Sequence, residues 1–179
     1  AVDFAHLHFE SLDILINCAS LVGTSDIKGW TTKFDLQEYT TFEKALSINL
    51  TSVFYLIQQC QDLLEKSNNP SIINIGSYSW MLSQGGMPGY TTAKSAIMGL
   101  TRTLARDLGI YNIRVNCVVP GGAKNKQDKI FINNYSHKTP LGRMANKNEY
   151  KGAIVYCCSD ESSYMTGHNL IIDGGRTIW

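Results

Sequence analysis

The sequence lacks a C-x-x-C pair and any histidine or cysteine cluster at metal-ligand spacing. Its five cysteines (Cys18, Cys60, Cys117, Cys157 and Cys158) are odd in number and scattered. That argues against a disulfide framework and against zinc, whose ligands come at short loop spacings, so no metal is expected. No run approaches the ~18 apolar residues that span a bilayer. The opening Ala1–His8 lacks the basic-then-apolar order of a signal peptide, which makes the Asn-x-Ser/Thr sequons at Asn49 and Asn134 coincidental. Charge is scarce and balanced, with 17% charged residues and a net charge of +1. This gives no overall basis for nucleic acid or an anionic membrane as a partner. An apolar fraction of 44% at so low a net charge excludes intrinsic disorder. What remains is a globular protein, expected in the reducing cytoplasm.

What is present is an alternation of short apolar strands with longer helical patterns. Strands are expected at Leu12–Asn17, at Pro70–Gly76, at Ile113–Val119 and at Asn169–Asp173. A loop is expected over 24–35, a long helix over Leu36–Lys66, a second over Gly89–Leu108 stopped by Gly109, and a third near Lys147–Ser159. Strands of this length alternating with helices predict βαβ units and a parallel sheet, an α/β fold in one domain over 1–179. Ligands of such sheets bind beyond the carboxyl ends of the strands. The chemistry should therefore lie just after Asn17, Ile75 and Val119.

Tyr90 and Lys94 stand at i and i+4, on one helix face. A cation there favours the phenolate, drawing the tyrosine towards neutral pH, where it can exchange a proton with a substrate oxygen. Ser77 follows its strand directly, and a hydroxyl at that strand end can bond the same oxygen. Asn49 lies inside the long helix, an unfavourable place for asparagine. Its amide needs partners there, and a water beside Lys94 would serve.

With those residues in order, the sequence resembles the short-chain dehydrogenase/reductases over nearly its whole length. Leu15-Ile-Asn-Cys-Ala-Ser20 resembles the family's N-N-A-G segment after its fourth strand, and Asn49, Ser77, Tyr90 and Lys94 match its catalytic tetrad. Arg114-Val-Asn-Cys-Val-Val-Pro-Gly121 matches the sixth strand with its Pro-Gly turn, and Gly167–Gly175 the terminal strand. The resemblance implies a Rossmann-type doubly wound parallel sheet, here its strands four to seven, and hydride exchange between NAD or NADP and a carbonyl or alcohol carbon. Tyr90 would be the general acid or base, Ser77 would polarise the carbonyl, Lys94 would lower the tyrosine pKa and hold the ribose, and Asn49 would anchor a relay water. Main chain at Asn17, Ala19 and Ser20 would border the adenosine side, and Pro120, Gly121 and Gly122 would pass the nicotinamide end. A homo-oligomer, tetramer or dimer, is implied as well.

Departures from the family pattern set further expectations. Cys18 and Ser20 replace the second asparagine and the glycine of N-N-A-G, and a serine held at positive φ would strain that turn. No glycine-rich phosphate turn follows a first strand, so the chain is expected to be the later two-thirds of the family domain, with an open edge at Leu12–Asn17. Segment Gly122–Arg143 corresponds to the substrate loop and carries five cations (Lys124, Lys126, Lys129, Lys138 and Arg143) against the single acid Asp128. That field suits an anionic, sugar-type substrate. It also suits the acidic carrier of a 3-oxoacyl-carrier-protein reductase. A non-catalytic remnant acting as an interaction module is the alternative outside enzymes. Trp30, Tyr78, Trp80 and Met87 are candidates for the pocket lining or, equally, for packing.

Overall fold

The computed structural model describes residues 2–22, 27–83 and 85–178; of the loop expected over 24–35, residues 24–26 lie outside the described residues. Helix α1 (Val2–His8) precedes strand β1 (Ile14–Asn17). Then α2 (Tyr39–Leu46), a π turn (Ser47–Thr51) and α3 (Ser52–Glu65) run on without interruption to β2 (Ser71–Ile75). Helix α4 (Pro88–Leu108) leads to β3 (Arg114–Pro120), and α5 (Lys129–His137) and α6 (Lys151–Cys158) lead to β4 (Asn169–Ile172). All four strands form one parallel sheet in the order β1-β2-β3-β4. This is the parallel α/β sheet that the strand and helix alternation predicts and the doubly wound arrangement that the resemblance implies.

Both sheet faces are covered, which is why β2 and β3 read as near-continuous apolar runs. Successive side chains point to opposite faces. On one face α3 and α4 lay Ile57, Leu64 and Ile97 over Ile72, Val115 and Val119. On the other, α6 lays Ala153 and Cys157 over Ile73 and Val118. Arg114, buried at the start of β3, ties the end of α6 to the sheet: its guanidinium donates to Ser162 Oγ (2.9 Å) and to the Cys157 carbonyl (3.2 Å). β1 is an edge of this sheet, and Ile14 and Ile16 are each 42% exposed.

Four details differ from the sequence reading. The long helix begins at Tyr39 rather than Leu36 and widens into the π turn around Asn49. Such bulges accommodate a residue whose side chain has business off the helix axis. Segment 122–143 is not all loop, because Asp128 caps the amide of Phe131 (2.7 Å) and starts α5. Helix α1 was not expected. It is fastened to α3 by Val2 on the main core and by the His6 ring on the Gln59 carbonyl (2.8 Å). Helix α4 does end at Leu108, but Gly109 is right-handed (φ −60°); the left-handed residue is Asn112 (φ 59°), a residue type that tolerates it.

Candidate active site

The strands are parallel, so Asn17, Ile75 and Pro120 all lie at one end of the sheet. Gly76 follows β2 because the chain passes tightly over its neighbour: a Cβ there would lie 2.8 Å from Cys117 Sγ. Ser77 comes next, extended and 5% exposed, its Oγ accepting the amide of Ser79 (3.2 Å). Pro88 starts α4, its fixed φ suiting the first helical position. Gly89 sits against Ala45 of α2, where an added Cβ would meet the Ala45 methyl at 3.0 Å. That close crossing sets the first turns of α4, and with them Tyr90 and Lys94, against the end of β2.

The Tyr90 phenol faces the Ser77 hydroxyl, which favours its ionisation. Lys94, only 3% exposed, donates to the Ile75 carbonyl (2.8 Å), and its Nζ stands 5.9 Å from the centroid of the Tyr90 ring. Serine, tyrosine and lysine thus converge beyond β2, as their spacing predicts. The electrostatics differ from the sequence reading. Burial raises the Tyr90 pKa above the ordinary 10.0, and the opposing influence is the Ser77 hydroxyl rather than Lys94. The ammonium is turned to Ile75, and burial lowers its own pKa below 10.5. Cys117 beneath it is pushed up to about 12 by burial and stays a neutral thiol.

Asn49 is fully buried and is joined to the turn after β1. Its Oδ1 accepts from the Leu21 amide (2.7 Å) and from Ser20 Oγ (2.9 Å), and its Nδ2 donates to the Leu21 carbonyl (3.0 Å). The side-chain amide thus clamps the backbone of the turn after β1. The strain expected at Ser20 is absent: Asn112 is the one non-glycine with positive φ among the described residues. In place of the family's glycine, Ser20 adds a hydroxyl that serves Asn49. Asn17 is committed to the sheet, donating to Asn74 Oδ1 (2.9 Å), whose own amide donates to Thr101 (3.0 Å). Ala19 and Cys18 beside it are exposed.

At the end of β3 the Pro120-Gly121-Gly122 turn is packed from behind. A Cβ on Gly121 would meet the Asp173 backbone at 2.7 Å, and one on Gly122 would meet the Tyr135 ring at 2.7 Å. Tyr150, its phenol raised to about 12 by burial, donates to the Gly121 carbonyl (3.1 Å). A cavity of about 80 Å³ opens behind this turn between Tyr135, Tyr150 and the Arg143–Glu149 ion pair, which is closed at 2.6 Å. Ser77, Tyr90 and Lys94 do not line it, so it is separate from the converging hydroxyls. Arg143 spends its charge on Glu149, leaving Lys124, Lys126, Lys129 and Lys138 as the exposed cations of the segment. Of the candidates for the pocket lining, Trp30, Tyr78 and Met87 are buried packing and only Trp80 stays open, at 40%. The sequence reading missed Tyr135 and Tyr150; the Asp128 cap ahead of an apolar pair, Ile130-Phe131, was the available signal for the first.

No helix among the described residues is long and apolar enough to cross a membrane. A family model described as enoyl-(acyl carrier protein) reductase matches residues 1–177. A 3-alpha-(or 20-beta)-hydroxysteroid dehydrogenase of Mycobacterium tuberculosis is 35% identical over 175 residues, covering 98% of this chain and 64% of that protein. A trans-4-hydroxycyclohexanecarboxylate dehydrogenase of Sinomonas cyclohexanicum is 37% identical over 177 residues, covering 99% and 65%. The chain thus spans a little under two thirds of the length of these curated relatives. A short chain dehydrogenase from Leptospira borgpetersenii with bound NAD+ superposes with a TM-score of 0.88 at 35% identity, over 98% of this chain and 69% of that one. A gluconate 5-dehydrogenase from Burkholderia cenocepacia, solved with NADP and tartrate, gives 0.88 at 26% identity, over 100% and 70%. A parallel sheet with serine, tyrosine and lysine gathered past its second described strand, a family model over residues 1–177, and relatives matched along nearly the whole of this chain lead to one assignment: the chain belongs to the short-chain dehydrogenase/reductase family.

Proposed function

We propose that the protein is an NAD- or NADP-dependent oxidoreductase acting on the carbonyl or alcohol carbon of a small molecule. The observation that carries this reading is the group of Ser77, Tyr90 and Lys94 at the carboxyl end of β2, the serine and lysine buried and the tyrosine partly so. The donor set suits the nicotinamide-ribose end of a dinucleotide. An ammonium has three donors, and Lys94 spends one on Ile75, leaving two without an acceptor among the described residues. The exposed main chain at Ala19, with Asn17 and Ser20 beside it, would border the adenosine side, and Pro120, Gly121 and Gly122 the nicotinamide side. When bound, NAD or NADP supplies or removes the hydride. Tyr90 gives its phenolic proton to the substrate oxygen in reduction and takes it in oxidation, while Ser77 bonds that oxygen as its charge grows. Lys94 holds the ribose, and Asn49 keeps the turn at Leu21 in place.

The test is a titration with NADH and NADPH followed by nicotinamide fluorescence. Saturable binding of at least one is expected; failure of both would leave the non-catalytic interaction module as the reading. The oligomer we propose, tetramer or dimer, would cover exposed apolar residues such as Phe54 and Tyr55 on α3 and Ile171 on β4. Five free thiols fit the reducing cytoplasm as its location.

The substrate is proposed to be anionic and sugar-like, on the ground of the four exposed lysines around α5. A carrier-protein-bound 3-oxoacyl substrate is the rival for the same field. Reversing Lys124 and Lys126 to Glu should raise KM for anionic substrates several-fold and leave neutral ones unchanged. Equal effects on both would remove the case for an anionic substrate.

A further inference from the structure

We infer that Tyr135 is a positioning residue for this reaction: it locks α5, the Gly122 turn and the segment after Ser77 into one unit, so that the substrate segment is held closed against the site. The inference deepens the reading above and rests on it. Tyr135 is the one buried residue of α5, at 7% exposure, while Ile130 and Phe131 on the same helix are 75% and 46% exposed. The helix therefore depends on a single anchor.

That anchor reaches both sides of the site. Its Oη accepts the Gly122 amide at 2.6 Å, and its ring fills the space a Gly122 side chain would need. The ring also meets that of Tyr78, the residue after Ser77, edge to face with centroids 6.0 Å apart. Met144, Leu82 and Ile132 close the apolar surround. From the C-terminal side, Arg176 lies 5.4 Å from the Tyr135 ring centroid and donates to the Lys138 carbonyl (2.8 Å), just past the end of α5. One side chain thus joins the turn assigned to the nicotinamide end, through its hydroxyl, with the backbone that carries Ser77, through its ring. Replacing the hydroxyl strands the Gly122 amide without removing the ring.

The experiment is Tyr135→Phe, with Gly122→Ala, which drives the ring off the turn, as the second variant and exposed Ile130→Ser as the control. Two readouts are taken. The first needs no activity: tryptic cleavage at Lys129 and Lys138, exposed at the two ends of α5, is expected to speed up in both variants and stay unchanged in the control. The second is steady-state kinetics on Tyr135→Phe, where KM for the carbonyl or alcohol substrate is expected to rise about 5- to 50-fold, the effect of leaving a buried donor unpaired, with kcat within about threefold. Unchanged cleavage overturns the inference. Faster cleavage at unchanged KM also overturns it, since the tyrosine is then a structural anchor only. Absence of dinucleotide turnover in the parent protein is the failure of the proposed function, and it takes the positioning role with it; an active parent with an unmoved variant is the failure of this inference alone.

Discussion

Tyr90→Phe is expected to lower turnover by about 10²- to 10⁴-fold, the usual contribution of a positioned acid or base, and to leave the fold standing. The ring packs against the cluster of Leu21, Trp30 and Ala45, and phenylalanine keeps that packing; only the hydroxyl facing Ser77 goes. Nicotinamide fluorescence titration should show binding within a few-fold of the parent, separating loss of proton transfer from loss of binding. The pH dependence has a definite sign. Burial holds the Tyr90 pKa above 10.0, so the phenol is protonated across the neutral range and reduction proceeds without losing its acid. Oxidation needs the phenolate and should rise with pH as the raised pKa is approached. That rising limb should vanish in Tyr90→Phe. A variant retaining turnover within tenfold of the parent, with the limb intact, would remove Tyr90 from the chemistry.

The sheet was legible because parallel strands buried on both faces cannot hide: Ile72, Ile73, Val115, Val118 and Val119 form apolar runs that no amphipathic helix shows. The grouping of Ser77, Tyr90 and Lys94 was legible too, since one helical turn fixes the second pair and a strand end fixes the first. Direction of a side chain was not. Whether Lys94 faces the Tyr90 hydroxyl or a carbonyl depends on where β2 ends, and the Ile75 carbonyl claims it. Residue spacing carries no information about such competition.

Helix α5 escaped for a related reason. With a single buried residue it presents no apolar stripe, so its periodicity is too weak to distinguish it from a polar loop. What stabilises it is tertiary, the reach of Tyr135 to Gly122 and Tyr78. Ser20 is the opposite case. The residue was conspicuous as a departure from the family's glycine, but the departure is compensated by a partner 29 positions away. Without positive φ at that turn, serine costs no backbone strain and gains a hydrogen bond.

That pairing underlies the second large effect. Asn49→Ala is expected to cost about 2–5 kcal/mol of stability, read from denaturant midpoints, because it strands the amide and carbonyl of Leu21 and the hydroxyl of Ser20 at once. Each buried group left without a partner costs about 1–3 kcal/mol, and the Asn49 site is fully closed to water. Ser20→Ala alone removes one of two donors to Asn49 Oδ1 and should cost about 1 kcal/mol. In the Asn49→Ala background the same change should cost almost nothing, since its bond is already gone; the resulting non-additivity of about 1 kcal/mol is the signature of direct coupling. Strict additivity, or a cost below about 1 kcal/mol for Asn49→Ala, would mean that the clamp does not hold the turn. The clamp spans a π turn on one side and the strand end bordering the proposed adenosine side on the other. Its loss should therefore weaken dinucleotide binding as well as the fold, whereas Tyr90→Phe touches only the chemical step.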